Sequence, residues 1–170
     1  VTESRQGLKW LPEMKTIRNV GYGEQFLRYL GQRGFDDSLG VVERYGLRYA
    51  LVGEFAWRLL IPFYLDKQLV GWTGRTIRDG GIRYLTLSPA PNTRGLPRAI
   101  YDPGSYVWNQ DQAEEGGKML IICEGPLDGL KLSWSIRKHT GLISVALLGM
   151  PKPGQVELLG NLSQRYLSVV

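Results

Sequence analysis

The sequence predicts an α/β protein: an α+β N-terminal lobe followed by a β-α-β-α-β parallel sheet. Three observations carry this reading. Between Tyr49 and Leu85, four short β-rich segments are separated by turn residues. After Gly117, continuous apolar runs alternate with helical patterns, the order that a parallel sheet with crossover helices requires. Between the two regions lies a polar break, NQDQAEEGG at 109–117, which marks a lobe boundary.

Each element has a local cause. Residues 1–22 are mixed, broken by Pro12 and the Gly21/Gly23 pair, and read as a leader or linker. Glu24 to Leu30 has helical spacing, with Phe26, Leu27 and Leu30 on one face, closed by Gly31 and Gly34. Asp36-Asp37-Ser38 supplies capping side chains for a second helix through Tyr45, and Gly46 stops it. Strands are expected at 49–52, 58–64, 69–75 and 83–85, with a hairpin-type connection at Asp66-Lys67-Gln68. Residues 88–98, rich in Pro, Asn and Gly, form a loop. The lobe 23–116 ends at the polar break. In 117–170, Met119 to Cys123 reads as a strand buried on both faces, because it is apolar without alternation. A helix from Pro126 to Lys138 follows, with Leu127, Leu130, Trp134 and Ile136 as its apolar contacts. A strand at 142–148, a helix at 154–162 weakened by Gly160, and a last strand at 166–170 complete the pattern.

Composition narrows the class. The apolar fraction of 43% is that of a globular protein. No apolar run approaches the ~18 residues of a membrane span, and Val1 to Arg5 lacks the organisation of a signal peptide. The chain starts without an initiator Met, so it is expected to be processed or cut from something longer. One Cys and one His exclude a disulfide framework and a Cys/His zinc ribbon within these residues. Cys123, inside an apolar run, reads as a buried free thiol, which suits a reducing cytoplasm. The net charge of +5 is uneven: Arg75, Arg78, Arg83, Arg94 and Arg98 face a single acid, Asp79, across one stretch. Such a stretch attracts phosphates, or else is a solvated basic face.

The stretch that carries chemistry is LIICEGPLDGLKL, Leu120 to Leu132. Glu124 falls at the carboxyl end of a strand, where parallel sheets collect their ligands. Gly125 is expected to let the backbone turn sharply, and Pro126 suits the first helical turn. Asp128 lies in that turn, where it either bonds free amides or faces the same ligand as Glu124. Paired carboxylates here suit Mg²⁺, which takes few protein ligands and keeps room for substrate phosphates. The alternative is a helix-start residue and a solvated strand-end charge.

This stretch resembles the first motif of the toprim domain, shared by bacterial-type DNA primases, topoisomerases, some nucleases and recombination proteins. Upstream blocks choose among these. LIPFYLDKQLVGWTGRTI at 60–77, RYLTLSP at 83–89, LPRAIYDP at 96–103 and RYLGQRGFDDSLGVVERYGLRYA at 28–50 resemble primase blocks in the same order and spacing. VALLGMPKPGQVELL is similar to the stretch that follows the second toprim strand. Over about residues 20–170 the sequence thus resembles a DnaG-type primase core of bacterial or phage kind. It departs from the family where Arg83 replaces a Lys and Leu96 replaces the Lys of K-G-R, with Arg94 close by. Residues 1–22 carry no zinc ribbon. The family's D-x-D would fall just after YLSVV, so the toprim domain is expected to be cut short.

The resemblance implies RNA primer synthesis on a single-stranded DNA template from ribonucleoside triphosphates, with Mg²⁺ or Mn²⁺ as cofactor, a nucleotidyltransferase reaction of DNA replication in the bacterial or phage-infected cytoplasm. It allows a replicative helicase as a partner, fused or separate. Glu124 would be the catalytic acid and metal centre, with Asp128 a second candidate. Arg75, Arg83, Arg94 and Arg98 would line the template or triphosphate path, arginine's planar fork suiting phosphate. Tyr84 and Trp72 would stack on bases or pack in the core, the core being favoured for Trp72. Gly74 would admit a ligand close to the backbone, or is an ordinary turn glycine. As it stands the chain is expected to bind single-stranded DNA weakly and to make little primer. Two alternatives are a nucleic-acid or nucleotide-binding module without catalysis and, less favoured because of the arginine-rich lobe, a toprim nuclease.

Overall fold

Asp37 begins one helix of the N-terminal pair, and Gly46 ends it. In the computed structural model, which describes residues 6–170, helix α1 spans Gly23–Gln32 and α2 spans Ser38–Tyr45. The Asp37 carboxylate accepts the Gly40 N–H at 2.9 Å, and Gly46 adopts φ 64°, the left-handed stop that favours glycine. Phe26 and Leu30 of α1 and Val41 and Val42 of α2 are buried.

Five strands make the first sheet: β1 (Lys15–Thr16), β2 (Arg48–Ala50), β3 (Arg58–Leu65), β4 (Gln68–Thr76) and β5 (Tyr84–Thr86), in that spatial order. The β1–β2, β2–β3 and β4–β5 pairs are antiparallel. Asp66 and Lys67 join β3 to β4 in a two-residue turn with φ 50° and 62°. Both carry side chains in a conformation that favours Asn and Gly. The Asp111 carboxylate offsets this by accepting the Asp66 and Lys67 N–H groups at 2.9 and 2.8 Å. Residues 10–17, expected as leader, lie within the fold. Met14 and Ile17 are buried, β1 pairs with β2, and Trp10 stacks on Trp72 at 5.1 Å. The part of that leader at residues 1–5 lies outside the described residues.

The second sheet has three parallel strands, β6 (Gly117–Cys123), β7 (Leu142–Ala146) and β8 (Tyr166–Val169), in the order β7-β6-β8. A short helix, α3 (Gln110–Ala113), lies within the polar break. Helices α4 (Pro126–Ile136) and α5 (Pro153–Ser163) make the crossovers. Leu120, Val145, Leu147 and Leu162 form a core with Val107 and Ala113. Contrary to its apolar run, β6 is not buried on both faces: only Leu120 is fully enclosed and its other apolar residues are half-buried. With just three strands, and α4 packed chiefly against β7, one face of β6 keeps partial contact with solvent.

The chain packs as two compact units. One holds 10–62 and 72–86; the other holds 63–71 and 87–170 with the segment ending at Lys9. The division falls within β3 and β4.

Candidate functional site

In the second unit, β6 ends at Cys123 and the chain turns through Glu124 and Gly125 into α4. Two backbone bonds fix this corner. The Leu147 N–H donates to the Cys123 carbonyl at 2.9 Å, and the Gly149 N–H donates to the Glu124 carbonyl at 3.2 Å. The Gly125 carbonyl then accepts from Asp128 and Gly129 N–H at 3.1 and 3.0 Å, which opens the helix. Gly125 itself has φ −112°, an extended conformation open to any residue, so the turn does not depend on its being glycine. Pro126 occupies the first turn as its fixed φ favours.

Glu124 and Asp128 are both exposed. Burial, and secondarily the Asp128 carboxylate, push the Cys123 thiol up, which places Asp128 close enough to be felt at the end of β6. Cys123 is half-buried, more open than its apolar run suggests.

The close packing of α4 on β7 holds this corner in place. A Cβ on Gly129 would lie 2.7 Å from the Ala146 Cβ, and the buried Ser144 hydroxyl donates to the Gly129 carbonyl at 2.9 Å. On the outer edge of β7, Trp108 pairs with Ala146 through two backbone bonds of 2.9 and 3.3 Å. Gln155 is buried and anchors the start of α5. Its amide donates to the Tyr106 carbonyl at 2.8 Å and its oxygen accepts the Lys152 N–H at 3.1 Å. Sequence reading passed over Gln155; its signal was a polar residue three positions after Lys152, the spacing of a capping box.

Two of the arginines belong to this unit. Arg98 is exposed and donates from Nε to the Pro89 carbonyl at 2.6 Å. Arg94 is exposed, and its backbone N–H donates to the Asn92 side chain, which also binds Leu96 and so shapes the loop.

The first unit carries Arg75, Arg83, Tyr84 and Gly74. Arg75 is half-buried, donates from Nε to the Tyr29 hydroxyl at 3.1 Å, and lies 5.1 Å from the centre of the Tyr84 ring. Tyr84 is half-buried beneath that guanidinium. Arg83 is exposed. Arg78 covers the Trp57 ring at 3.7 Å. Trp72 is fully buried between Trp10 and Phe55, as a core residue. Gly74 sits inside β4, not in a turn, and the space above it is filled by the protein: a Cβ there would meet Arg58 Cδ and Phe55 Cδ1, each at 2.9 Å. Its need for glycine is internal packing.

Arg58, which sequence reading took only as a strand residue, ties β4 to β5. Its guanidinium donates to the carbonyls of Gly74 and Ile82 at 3.0 Å and to that of Arg83 at 3.4 Å. Desolvation lowers its pKa, with Glu54 opposing. The single basic stretch of the sequence is thus divided, with Arg75, Arg78 and Arg83 in one unit and Arg94 and Arg98 in the other. Among the described residues no helix is long and apolar enough to cross a membrane.

No family model and no curated protein matches the chain. Solved structures do. The catalytic domain of DnaG primase bound to single-stranded DNA matches with a TM-score of 0.68 over 92% of this chain, at 16% identity. The chain has a DnaG-type primase fold. A DnaG catalytic core matches with a TM-score of 0.65 at 18% identity over 89% of the chain. The E. coli primase catalytic core matches at 0.63 and 19% identity over 86%. The chain spans little more than half of each, covering 56%, 55% and 54% of their lengths. The primase resemblance read from the sequence agrees with these matches at the level of the fold.

Proposed function

We propose that this chain is part of the catalytic core of a DNA primase, with Glu124 at a divalent-metal site of a toprim domain and a basic first unit that holds single-stranded DNA. The observation that carries the reading is the placement of Glu124. It is an exposed carboxylate at the carboxyl end of the central parallel strand, one helical turn from Asp128, in a DnaG-type primase fold. The DNA named with that solved primase domain supports a single strand as ligand here.

The donor set fits Mg²⁺ or Mn²⁺ in a limited way. Both groups are hard oxygen donors and both are open to solvent, which suits a cation that keeps most of its waters and is completed by substrate phosphates. Among the described residues no three His, Cys, Asp or Glu side chains cluster to hold a metal by themselves. Glu124 and Asp128 would hold the ion, and when bound it would supply charge neutralisation at a triphosphate. The protein's own part is to fix the corner through Leu147 and Gly149 and to present the Glu124 carboxylate to solvent. Arg94 and Arg98, exposed on the same unit, suit triphosphate oxygens; Arg75 and Arg83, on the first unit, suit the template backbone.

The exposed arginines of both units, which suit phosphates with or without a metal, favour as a second reading a module that binds nucleic acid without catalysis. One experiment separates them. Binding of a fluorescent ribonucleoside triphosphate is titrated with Mg²⁺, with EDTA, and with Glu124→Gln. Metal-dependent binding that Glu124→Gln reduces about tenfold or more supports the primase reading. Salt-sensitive DNA binding with no metal-dependent nucleotide binding supports the module. DNA cleavage with Mn²⁺ would instead support a toprim nuclease.

A further inference from the structure

Helix α1 buries Phe26 and Leu30 and leaves Glu24, Gln25, Arg28 and Gln32 exposed. Spacings of three and four place these polar groups along one stripe of the helix. Together with Tyr29 and Ile77 they line a recess of about 380 Å³, within the first unit. That volume is in the range of about 300–1,000 Å³ usual for ligand sites. Tyr29 links the recess to Arg75, whose Nε donates to the tyrosine hydroxyl at 3.1 Å.

The lining has a definite chemical preference. Glu24 is only an acceptor, while Gln25 and Gln32 each offer an acceptor and donors. Arg28 is a donor at the same stripe. A phosphate inside the recess would face the Glu24 carboxylate, whereas a neutral, flat group with hydrogen-bond donors would satisfy it. Nucleobases are such groups, and an acid accepts from the exocyclic amine of cytosine. Thymine has a carbonyl at that position. The phosphates either side of such a base would find Arg28 and Arg75.

We propose that this recess receives one base of a bound single strand and selects for an exocyclic amine, so that cytosine is held in preference to thymine. The proposal rests on the reading that the first unit binds single-stranded nucleic acid, and it adds a base-selective subsite.

The test is fluorescence anisotropy with the whole chain and two short labelled oligonucleotides, all-cytosine and all-thymine, at matched salt and pH above 7. These two pyrimidines stack similarly and differ at the group in question. The expected result is about five- to tenfold tighter binding of the cytosine strand. Glu24→Ala should abolish the difference, bringing the cytosine and thymine affinities within about twofold of each other. Gln25→Ala should narrow it. Equal affinities in the unaltered chain, or a preference that survives Glu24→Ala with Gln25→Ala, would overturn the subsite while leaving single-strand binding intact. Binding of neither strand would overturn both. Glu24 and Gln25 are exposed, so these substitutions leave the core untouched.

Discussion

Gly74→Ala tests whether a glycine in the basic region serves the fold or a ligand. The added Cβ would lie 2.9 Å from Arg58 Cδ, 2.9 Å from Phe55 Cδ1 and 3.1 Å from Arg58 Cβ. Neither neighbour is free to give way. The Arg58 guanidinium is pinned to the Gly74 and Ile82 carbonyls at 3.0 Å. Phe55 is 2% exposed and meets the Trp72 ring edge-on at 6.1 Å. Overpacking of this kind costs about 1–3 kcal/mol, and pinned neighbours place it in the upper half of that range. At ~2–4 °C per kcal/mol for a chain of this size, Tm should fall by roughly 4–12 °C.

Urea denaturation followed by intrinsic fluorescence suits the measurement, because Trp10, Trp57 and Trp72 all report from the unit that contains Gly74. Phe55→Leu should partly rescue Gly74→Ala, with a coupling energy of at least about 0.5 kcal/mol, since it opens the space the methyl needs. If Gly74→Ala is within about 0.5 kcal/mol of the parent and only nucleic-acid binding falls, the packing account is wrong and the glycine serves close approach of a ligand.

Gly129→Ala should cost about 1–3 kcal/mol, because its Cβ would lie 2.7 Å from that of Ala146 across the α4–β7 contact; a chemical melt checks it, and an unchanged midpoint refutes the contact. For Cys123, a raised pKa means less thiolate at a given pH, so its iodoacetamide alkylation curve should lie to higher pH than that of a free thiol. Asp128→Asn should move that curve back part of the way, burial being the larger cause, and no movement would mean the two groups are not neighbours. Arg75→Lys keeps the charge but loses the planar fork beside Tyr29 and Tyr84, so DNA affinity should drop severalfold with the salt slope unchanged. Arg75→Ala should instead lower that slope by about 0.7, as expected for one lost phosphate contact on a single strand.

Much of the architecture is legible locally. Asp37 and Gly46 bound α2 by side-chain capping and a left-handed stop, both written into adjacent residues. The alternation of apolar runs and helical spacing after Gly117 yields three parallel strands at nearly the expected bounds. Glu124 falls at a strand end because the apolar run stops there. What is hidden depends on distant partners. The two residues of β1 carry no periodicity, and only pairing with Tyr49 and Arg48 makes them a strand. Asp111 holds a turn 44 and 45 residues earlier in the chain, which no local pattern announces. Gly125 looked like a required hinge but has an ordinary φ, whereas Gly129 and Gly74 are confined by neighbours the sequence does not identify.

Charge shows the same division between what is committed and what is free. Five arginines in one stretch suggest five phosphate contacts, but their geometry sorts them. Arg78 covers Trp57 at 3.7 Å, and Arg75 is held between Tyr29 and Tyr84. Arg98 gives its Nε to a carbonyl, which leaves the terminal nitrogens for an anion. Arg58, outside the stretch, spends both terminal nitrogens on carbonyls. A guanidinium so committed has few donors left for phosphate, while one fixed through Nε alone is pre-oriented, because its fork no longer has to be ordered on binding. On that argument Arg75 and Arg98 should contribute more to anion binding than Arg83, which is exposed and pays rotamer entropy when it binds. Alanine substitutions rank them directly by the loss of DNA or nucleotide affinity, and a larger loss at Arg83 than at Arg75 would show that freedom to reach the ligand outweighs pre-orientation.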